Sequence, residues 1–310
     1  MTNSPSQPSR RTLLRTCVGA PVAASLACAS EVDRSAAASL PPLGPPLPRP
    51  AEGKIRVAFL ITAGAEIVDF GGPWGVFEYA VHPDTGNPFE LYTVAESVAP
   101  LEISGGMVVV PKYGFADAPP PHVVIVPALG DHPPAALDWL VSVSKSADLT
   151  VSICTGAFAL AEAGLLDGRT VTTHHSALTI LGADFPAINV VRGARFIDDG
   201  NVSTAGGLTS GIDLALHIVE RYLGPEMAER TANLLEYQGK GWQDPSSNAA
   251  YLQRPRLTGD PPRCPVCEAE IGALLIAEAP SERYGGRTYR FCSPDCKARF
   301  DQSPDVFAAP

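Results

Sequence analysis

Thr150-Val151-Ser152-Ile153-Cys154-Thr155-Gly156-Ala157-Phe158-Ala159-Leu160 passes from a strand-like run straight into a helix-like one. Such a passage belongs to sheets whose strands are joined by helical crossovers, and the sequence on both sides repeats the alternation. Ile55-Arg56-Val57-Ala58-Phe59-Leu60-Ile61 is an apolar, β-rich run suited to a parallel strand buried on both faces. Further short runs lie at residues 89–94, 108–110, 123–126 and 170–174, with helical patterns between several of them. Over residues 208–223, Leu208, Ile212, Ala215, Leu216, Val219, Tyr222 and Leu223 share one helical face, opposite Asp213, Glu220 and Arg221. A further helix is expected from Pro225 to about Tyr237, before Gly239 and Gly241 break the pattern. The fold class is therefore α/β, a parallel sheet sandwiched by helices.

A chain of 310 residues accommodates one large domain and one small one. Its 45% hydrophobic and 18% charged residues are ordinary for a globular protein, and its 31 prolines point to linkers. A net charge of -10 argues against a nucleic-acid partner, which would require a basic stripe to displace counterions from phosphate. At the start, Ser9-Arg10-Arg11-Thr12-Leu13-Leu14-Arg15 precedes a modest apolar stretch ending Ala27-Cys28-Ala29. This resembles a twin-arginine export signal over residues 1–29, cleaved after Ala29, with a periplasmic or other extracytoplasmic destination. The apolar stretch is too short to remain as a transmembrane span. Lipidation at Cys28 is disfavoured because Ser25 stands where a branched apolar residue is usual. Residues 30–53 read as a Pro/Ala-rich linker, 54–240 as the α/β domain, 241–262 as a second linker, and 263–310 as a small cysteine-rich unit.

Cys154 sits where strand-like sequence becomes helix-like, with small residues two before and two after it, Ser152 and Gly156. That spacing resembles a nucleophile elbow, a strained turn that exposes its side chain. The start of the following helix favours negative charge, so a stabilised, reactive thiolate is expected. Free cysteine is also among the most buried residue types, and locally the sequence leaves both readings open.

Several distant stretches together resemble the ThiJ/PfpI superfamily, with its class I glutamine-amidotransferase-like fold, and within it the isonitrile hydratase branch. They are Ile67-Val68-Asp69-Phe70-Gly71-Gly72-Pro73, Ile153-Cys154-Thr155-Gly156-Ala157, Ala163-Gly164-Leu165-Leu166-Asp167-Gly168, Thr173-His174-His175-Ser176, residues 203–213 and Leu235-Glu236-Tyr237. The resemblance covers residues 54–239 and implies a flavodoxin-like sheet without a cofactor. It implies Cys154 as nucleophile or polar anchor, Asp69 as its carboxyl partner and Thr155 as a hydroxyl neighbour. His174 is a further catalytic candidate, equally readable as a core histidine. His175 replaces a tryptophan common in the relatives. Protease-like members carry histidine directly after the nucleophile, where this chain has Thr155, so proteolysis is disfavoured. None of the six histidines has glutamate two residues on, which disfavours ammonia transfer from glutamine. Pro127-Ala128-Leu129-Gly130 stands where relatives have Pro-Gly-Gly supplying oxyanion donors.

Cys264-Pro265-Val266-Cys267 and Cys292-Ser293-Pro294-Asp295-Cys296 supply two thiolate pairs that can close a tetrahedral metal site. Ser293 and Pro294 suit the cap and first turn of a helix, and residues 284–291 read as a small aromatic hairpin. The segment resembles the YHS domain at Tyr284, Gly286, residues 289–293, Cys296 and Phe300, which implies one thiolate-bound metal. Zinc is the default for four thiolates and copper(I) the alternative. Two disulfides are the competing reading in an oxidising compartment.

Together these features give an exported, homodimeric α/β protein that hydrates or hydrolyses a small electrophilic compound through Cys154, Asp69 and Thr155, with an isonitrile as the model substrate. The competing reading is a non-catalytic ligand, metal or redox sensor.

Overall fold

The strand predicted at residues 55–61 forms β1 (Ile55–Leu60), and the chain crosses through α1 (Ile67–Tyr79) to β2 (Phe89–Ala95). A small hairpin of β3 (Leu101–Glu102) and β4 (Val108–Val109) precedes β5 (Tyr113–Gly114) and β6 (Val123–Val126). Then come α2 (Pro134–Val143), β7 (Leu149–Ile153), α3 (Gly156–Glu162), β8 (Thr170–Val171), α4 (Leu178–Asp184) and β9 (Asn189–Val190). The α/β layers finish with β10 (Phe196–Asp199), β11 (Val202–Ala205), α5 (Ser210–Leu223) and α6 (Pro225–Leu234). This computed structural model describes residues 40–308. The twin-arginine stretch, Ala29 and Cys28 lie outside the described residues, among which no helix is long and apolar enough to cross a membrane.

Seven strands form the central sheet in the order β10-β11-β7-β6-β1-β2-β5. All neighbours are parallel except β10 and β11, which pair as an antiparallel hairpin. The strands are apolar on both faces because helices cover both. Val57, Phe59, Val123, Ile125, Val151 and Ile153 pack with Val76, Phe77, Leu214 and Ile218 of α1 and α5. Ala58, Leu60, Val124 and Val126 point the other way, onto Trp139, Leu140 and Leu160 of α2 and α3. The result is the expected flavodoxin-like sandwich, with β7 near the middle delivering residue 154 at its carboxyl end.

The strand expected over residues 170–174 is shorter than its run of β-branched residues suggests. Only β8 is extended, pairing with β9 outside the main sheet, and Thr173 and His174 follow in irregular backbone. β11 (Val-Ser-Thr-Ala) is too small and polar to announce itself as a strand, yet all four residues are buried beside β7.

Both expected linkers are folded against the domain over part of their length. In the first, Gly44 N–H donates to Asp198 Oδ2 at 2.9 Å and Leu47 N–H to Arg221 O at 2.7 Å. These bonds tie the proline-rich strap to a buried cluster of Asp198, Arg221, His217 and Ser203. In the second, Trp242 is 2% exposed and its N–H donates to Asp213 at 2.9 Å, while Arg195 N–H donates to Pro245 O at 2.6 Å. Low apolar content concealed this attachment, because backbone and charged groups make it.

Beyond residue 262, β12 (Ser281–Tyr284) and β13 (Arg287–Arg290) form the expected hairpin, followed by α7 (Pro294–Gln302) and α8 (Pro304–Ala308). Val266, Ile271, Tyr289, Phe291, Phe300 and Phe307 make a separate small core, against which Ile180 and Ala183 of α4 pack. Glu268, only 4% exposed, fastens this unit to the α/β layers. It pairs with Arg192 and with Arg254, and accepts from Thr179 Oγ1 at 3.2 Å.

Candidate functional site

Cys154 occupies the turn between β7 and α3 with φ at +58°, a left-handed conformation that only a constrained non-glycine residue adopts. Its N–H donates to Gly206 O at 3.0 Å and Ala205 O at 3.2 Å, pinning the turn to the end of β11. Gly156 permits the sharp exit: an added Cβ would lie 2.2 Å from Val126 O and 2.6 Å from Pro127 O, both immovable backbone. The elbow read from the spacing of Ser152, Cys154 and Gly156 is thus a strained turn held on both sides.

Asp69, in the first turn of α1, is fully buried beside this turn. Its two oxygens accept N–H groups from separate loops, Ala128 to Oδ2 at 3.0 Å and Leu208 to Oδ1 at 3.1 Å. Burial pushes its carboxyl up to about 6, despite the opposing Ala128 and Leu208 N–H donors; the Glu66 charge pushes the same way and the hydrogen bond with Cys154 opposes it. Burial likewise pushes the Cys154 thiol up to about 12, followed by the Asp69 charge, against the N–H groups of Thr155 and Leu208. The abundant thiolate expected from the helix start is therefore not what the environment produces. Desolvation and a neighbouring carboxylate outweigh the dipole, and the sulfur stays protonated at neutral pH. At that pH the pair is a thiol hydrogen-bonded to a carboxylate, able to share one proton.

The other candidates divide. Thr155 reaches the sulfur through its backbone N–H, while its side chain lines an open depression with His132, Phe158 and Glu162. His174 makes no hydrogen bond to either member of the pair. Its Nδ1 accepts from Ser176 N–H at 3.3 Å and lies 2.8 Å from Ser176 Oγ, and its other edge faces Gly207. Burial, then the charge of His175, lowers its pKa and keeps it neutral. Of the backbone donors expected in residues 127–130, Ala128 N–H serves Asp69 and Gly130 N–H goes to Ala63 O at 3.1 Å. Sequence reasoning missed Leu208, whose N–H touches both members of the pair. Its signal was Gly206-Gly207 before a leucine with φ at +49°, a bend that turns the amide toward the elbow.

The sequence profile of the DJ-1/PfpI family matches residues 55–221, the span containing this elbow and Asp69. The chain belongs to the DJ-1/PfpI family. Among its relatives, isonitrile hydratase of Pseudomonas putida is 33% identical over 191 residues, covering 59% of this chain and 78% of that enzyme. The HTH-type transcriptional regulator CdhR of Pseudomonas aeruginosa is 37% identical over 95 residues, 31% of this chain and 28% of the regulator. Of solved structures, a ThiJ/PfpI family protein from Pseudomonas syringae superposes with a TM-score of 0.55 at 28% identity, covering 65% of this chain and 83% of that one. Drosophila melanogaster DJ-1beta superposes at 0.52 with 20% identity, over 61% of this chain and all of that one, a likeness of fold.

To its DJ-1/PfpI domain this chain adds the cysteine unit, where the sulfur atoms of Cys264, Cys267, Cys292 and Cys296 all lie within 4.8 Å of one another. Cys267 and Cys292 are 3.3 Å apart and Cys292 and Cys296 3.6 Å, separate thiols well beyond the ~2.05 Å of a disulfide. Four sulfurs about 2.3 Å from one centre would lie roughly 3.8 Å apart, between these short pairs and the 4.8 Å span of the whole set, so a small adjustment of the four thiols seats a tetrahedral ion. Ser293 Oγ accepts from Cys296 N–H at 3.2 Å, which places Cys296 one helical turn beyond Cys292, as the cap pattern anticipated. Crowding makes the thiols share protons, with Cys264 driven down by hydrogen bonds from Cys267 and Cys296. The set can hold a metal ion.

Proposed function

We propose that this DJ-1/PfpI chain is a cysteine-dependent hydratase of a small electrophilic compound, an isonitrile being the model substrate. The hydrogen-bonded pair of Cys154 and Asp69 carries the reading, supported by the likeness to isonitrile hydratase. In the reaction, the sulfur bonds to the isonitrile carbon while Asp69 takes the thiol proton and returns it to that carbon, giving a thioimidate. Water then adds to the carbon as Asp69 accepts a proton. The C–S bond breaks, the nitrogen is protonated, and an N-substituted formamide leaves with the thiol restored. The N–H groups of Thr155 and Leu208 stabilise the sulfur while it carries charge.

The C-terminal unit is a YHS-type appendage that holds one zinc ion, or copper(I), on its four cysteines, and the protein is exported by the twin-arginine route and acts as a homodimer. The experiment that tests the catalytic reading is turnover of a small aliphatic isonitrile, followed by NMR as formamide appears. Cys154→Ala should abolish it with the fold intact; full activity in that variant rejects the mechanism. A second reading, a non-catalytic ligand sensor, is favoured by the thiol being held at about 12 and by the likeness to a transcriptional regulator. Wild-type protein that binds an isonitrile without forming formamide would establish it.

A further inference from the structure

The start of α5 opens into a second cavity, of about 290 Å³, lined by neither Cys154 nor Asp69. Its wall includes Thr173, His174, Leu208, Thr209 and Ser210, and Asn248 and Tyr251 from the C-terminal side of the domain close it. None of the lining residues is acidic, although the chain carries 33 Asp and Glu against 23 Lys and Arg. The lining instead presents donors. Arg195 reaches Thr209 Oγ1 at 3.1 Å and Asn248 Oδ1 at 3.3 Å while pairing with Asp213, whose oxygens also accept from Tyr237 OH and Trp242 N–H, each at 2.9 Å. Since His174 Nδ1 accepts a backbone N–H, its proton resides on Nε2, on the edge facing Gly207. The positive end of the fourteen-residue α5 adds to this field.

Ser210 is the decisive group. It is 1% exposed, lines this cavity at the first position of α5, and its hydroxyl has no hydrogen-bond partner among the described residues. A buried hydroxyl left unpaired opposes folding, and an acceptor brought by a ligand in this cavity would satisfy it. The lining offers a cation no carboxylate or thiolate, and a dianion exceeds the one half-neutralised guanidinium. The volume lies at the small end of ligand pockets.

We propose that this cavity binds a small organic monocarboxylate, its oxygens accepting from Ser210 Oγ and His174 Nε2 at the start of α5, beneath a roof of Asn248 and Tyr251. Tyr251 is held there by stacking on His175 at 4.2 Å and 12°, and His175 meets His174 at 4.2 Å in a pair tilted by 39°. The cavity shares Leu208 and Thr173 with the surroundings of the Cys154–Asp69 pair, but its proposed donors are other side chains and neither Cys154 nor Asp69 lines it.

The test is calorimetric titration of the full metal-loaded chain with acetate at neutral pH, with acetamide as neutral isostere and chloride matching the ionic strength. Saturable one-to-one acetate binding is expected, with none for acetamide. Ser210→Ala should weaken it at least about tenfold, as expected on removing a hydrogen bond to a charged group, while leaving ligand-free thermal stability equal or higher because the lost hydroxyl had no partner. Tyr251→Ala, at an exposed position that tolerates truncation, should also weaken binding, whereas Cys154→Ala should bind as wild type. Equal binding of acetamide, no saturable acetate binding, unchanged affinity in Ser210→Ala, or a loss of ligand-free stability in that variant would each overturn the proposal.

Discussion

Replacing Asp69 by asparagine should leave the protein less stable in acid and relatively more stable at neutral pH, the reverse of losing an ordinary salt-bridged carboxylate. Folding raises the carboxyl from 3.8 to about 6, so the folded state holds its proton more tightly than the unfolded chain. The contribution of Asp69 is greatest below pH 3.8 and declines as pH rises through 6. At 1.36 kcal/mol per pH unit, the gap between those values amounts to about 3 kcal/mol. Asparagine has no charge to desolvate, but its amide can accept only one of the two N–H groups, from Ala128 and Leu208, at a cost of about 1–3 kcal/mol. The absolute effect at one pH is thus a small difference, whereas the change of the mutant-minus-wild-type difference across pH is not. Urea unfolding followed by tryptophan fluorescence suits this, because all three tryptophans, Trp74, Trp139 and Trp242, belong to the α/β layers. Between pH 4 and 7, asparagine should gain about 2.4 kcal/mol on wild type, most of that total. A difference that stays flat over that range refutes the desolvation argument.

The turnover of an isonitrile should rise about tenfold per pH unit below 6 and level off above it, because Asp69 must be a carboxylate to take the thiol proton; a profile that falls through pH 6 assigns it the opposite role. Gly156→Ala should destabilise the α/β layers by roughly 3 kcal/mol, as its Cβ meets the carbonyls of Val126 and Pro127, and an unchanged urea midpoint would show that the elbow relaxes. Glu268→Gln breaks a pairing with Arg192 and Arg254 that is largely shielded from water and should loosen the cysteine unit by about 3 kcal/mol, read as faster hydrogen exchange and proteolysis around residues 253–276 with the tryptophan transition unmoved. Removing metal with a strong chelator should unfold the same unit, since its seven-residue buried core is too small to stand without ligation; a chelator-treated unit that keeps its protection contradicts a structural metal.

The central fold was legible because its physics is periodic. β1, β6 and β7 are runs of residues buried on both faces, and α5 shows one apolar stripe. β11 escaped because its buried side chains are small and polar, and its place beside β7 rests on backbone pairing. At the site, the elbow could be read from small residues flanking Cys154, and Asp69 from family likeness. The protonation state of Cys154 could not be read, because it is set by Asp69, 85 positions away in sequence, and by burial that emerges only from packing. The same limit applies to Leu208 and to Glu268, whose roles depend on left-handed backbone at φ +49° and +61°. The strap at Gly44 and Leu47 and the packing of Trp242 were hidden behind prolines and glycines that ordinarily mark linkers.

The proposed chemistry rests on Cys154 and Asp69 sharing a proton, with the sulfur protonated at neutral pH. The direct measurement is a pH titration of the Cβ carbon of Cys154 by NMR in selectively labelled protein. A thiol signal that shifts slightly near pH 6, as Asp69 ionises, and does not convert to thiolate below about pH 10 is the predicted result. Full conversion to thiolate below pH 8, with no inflection near 6, would contradict it.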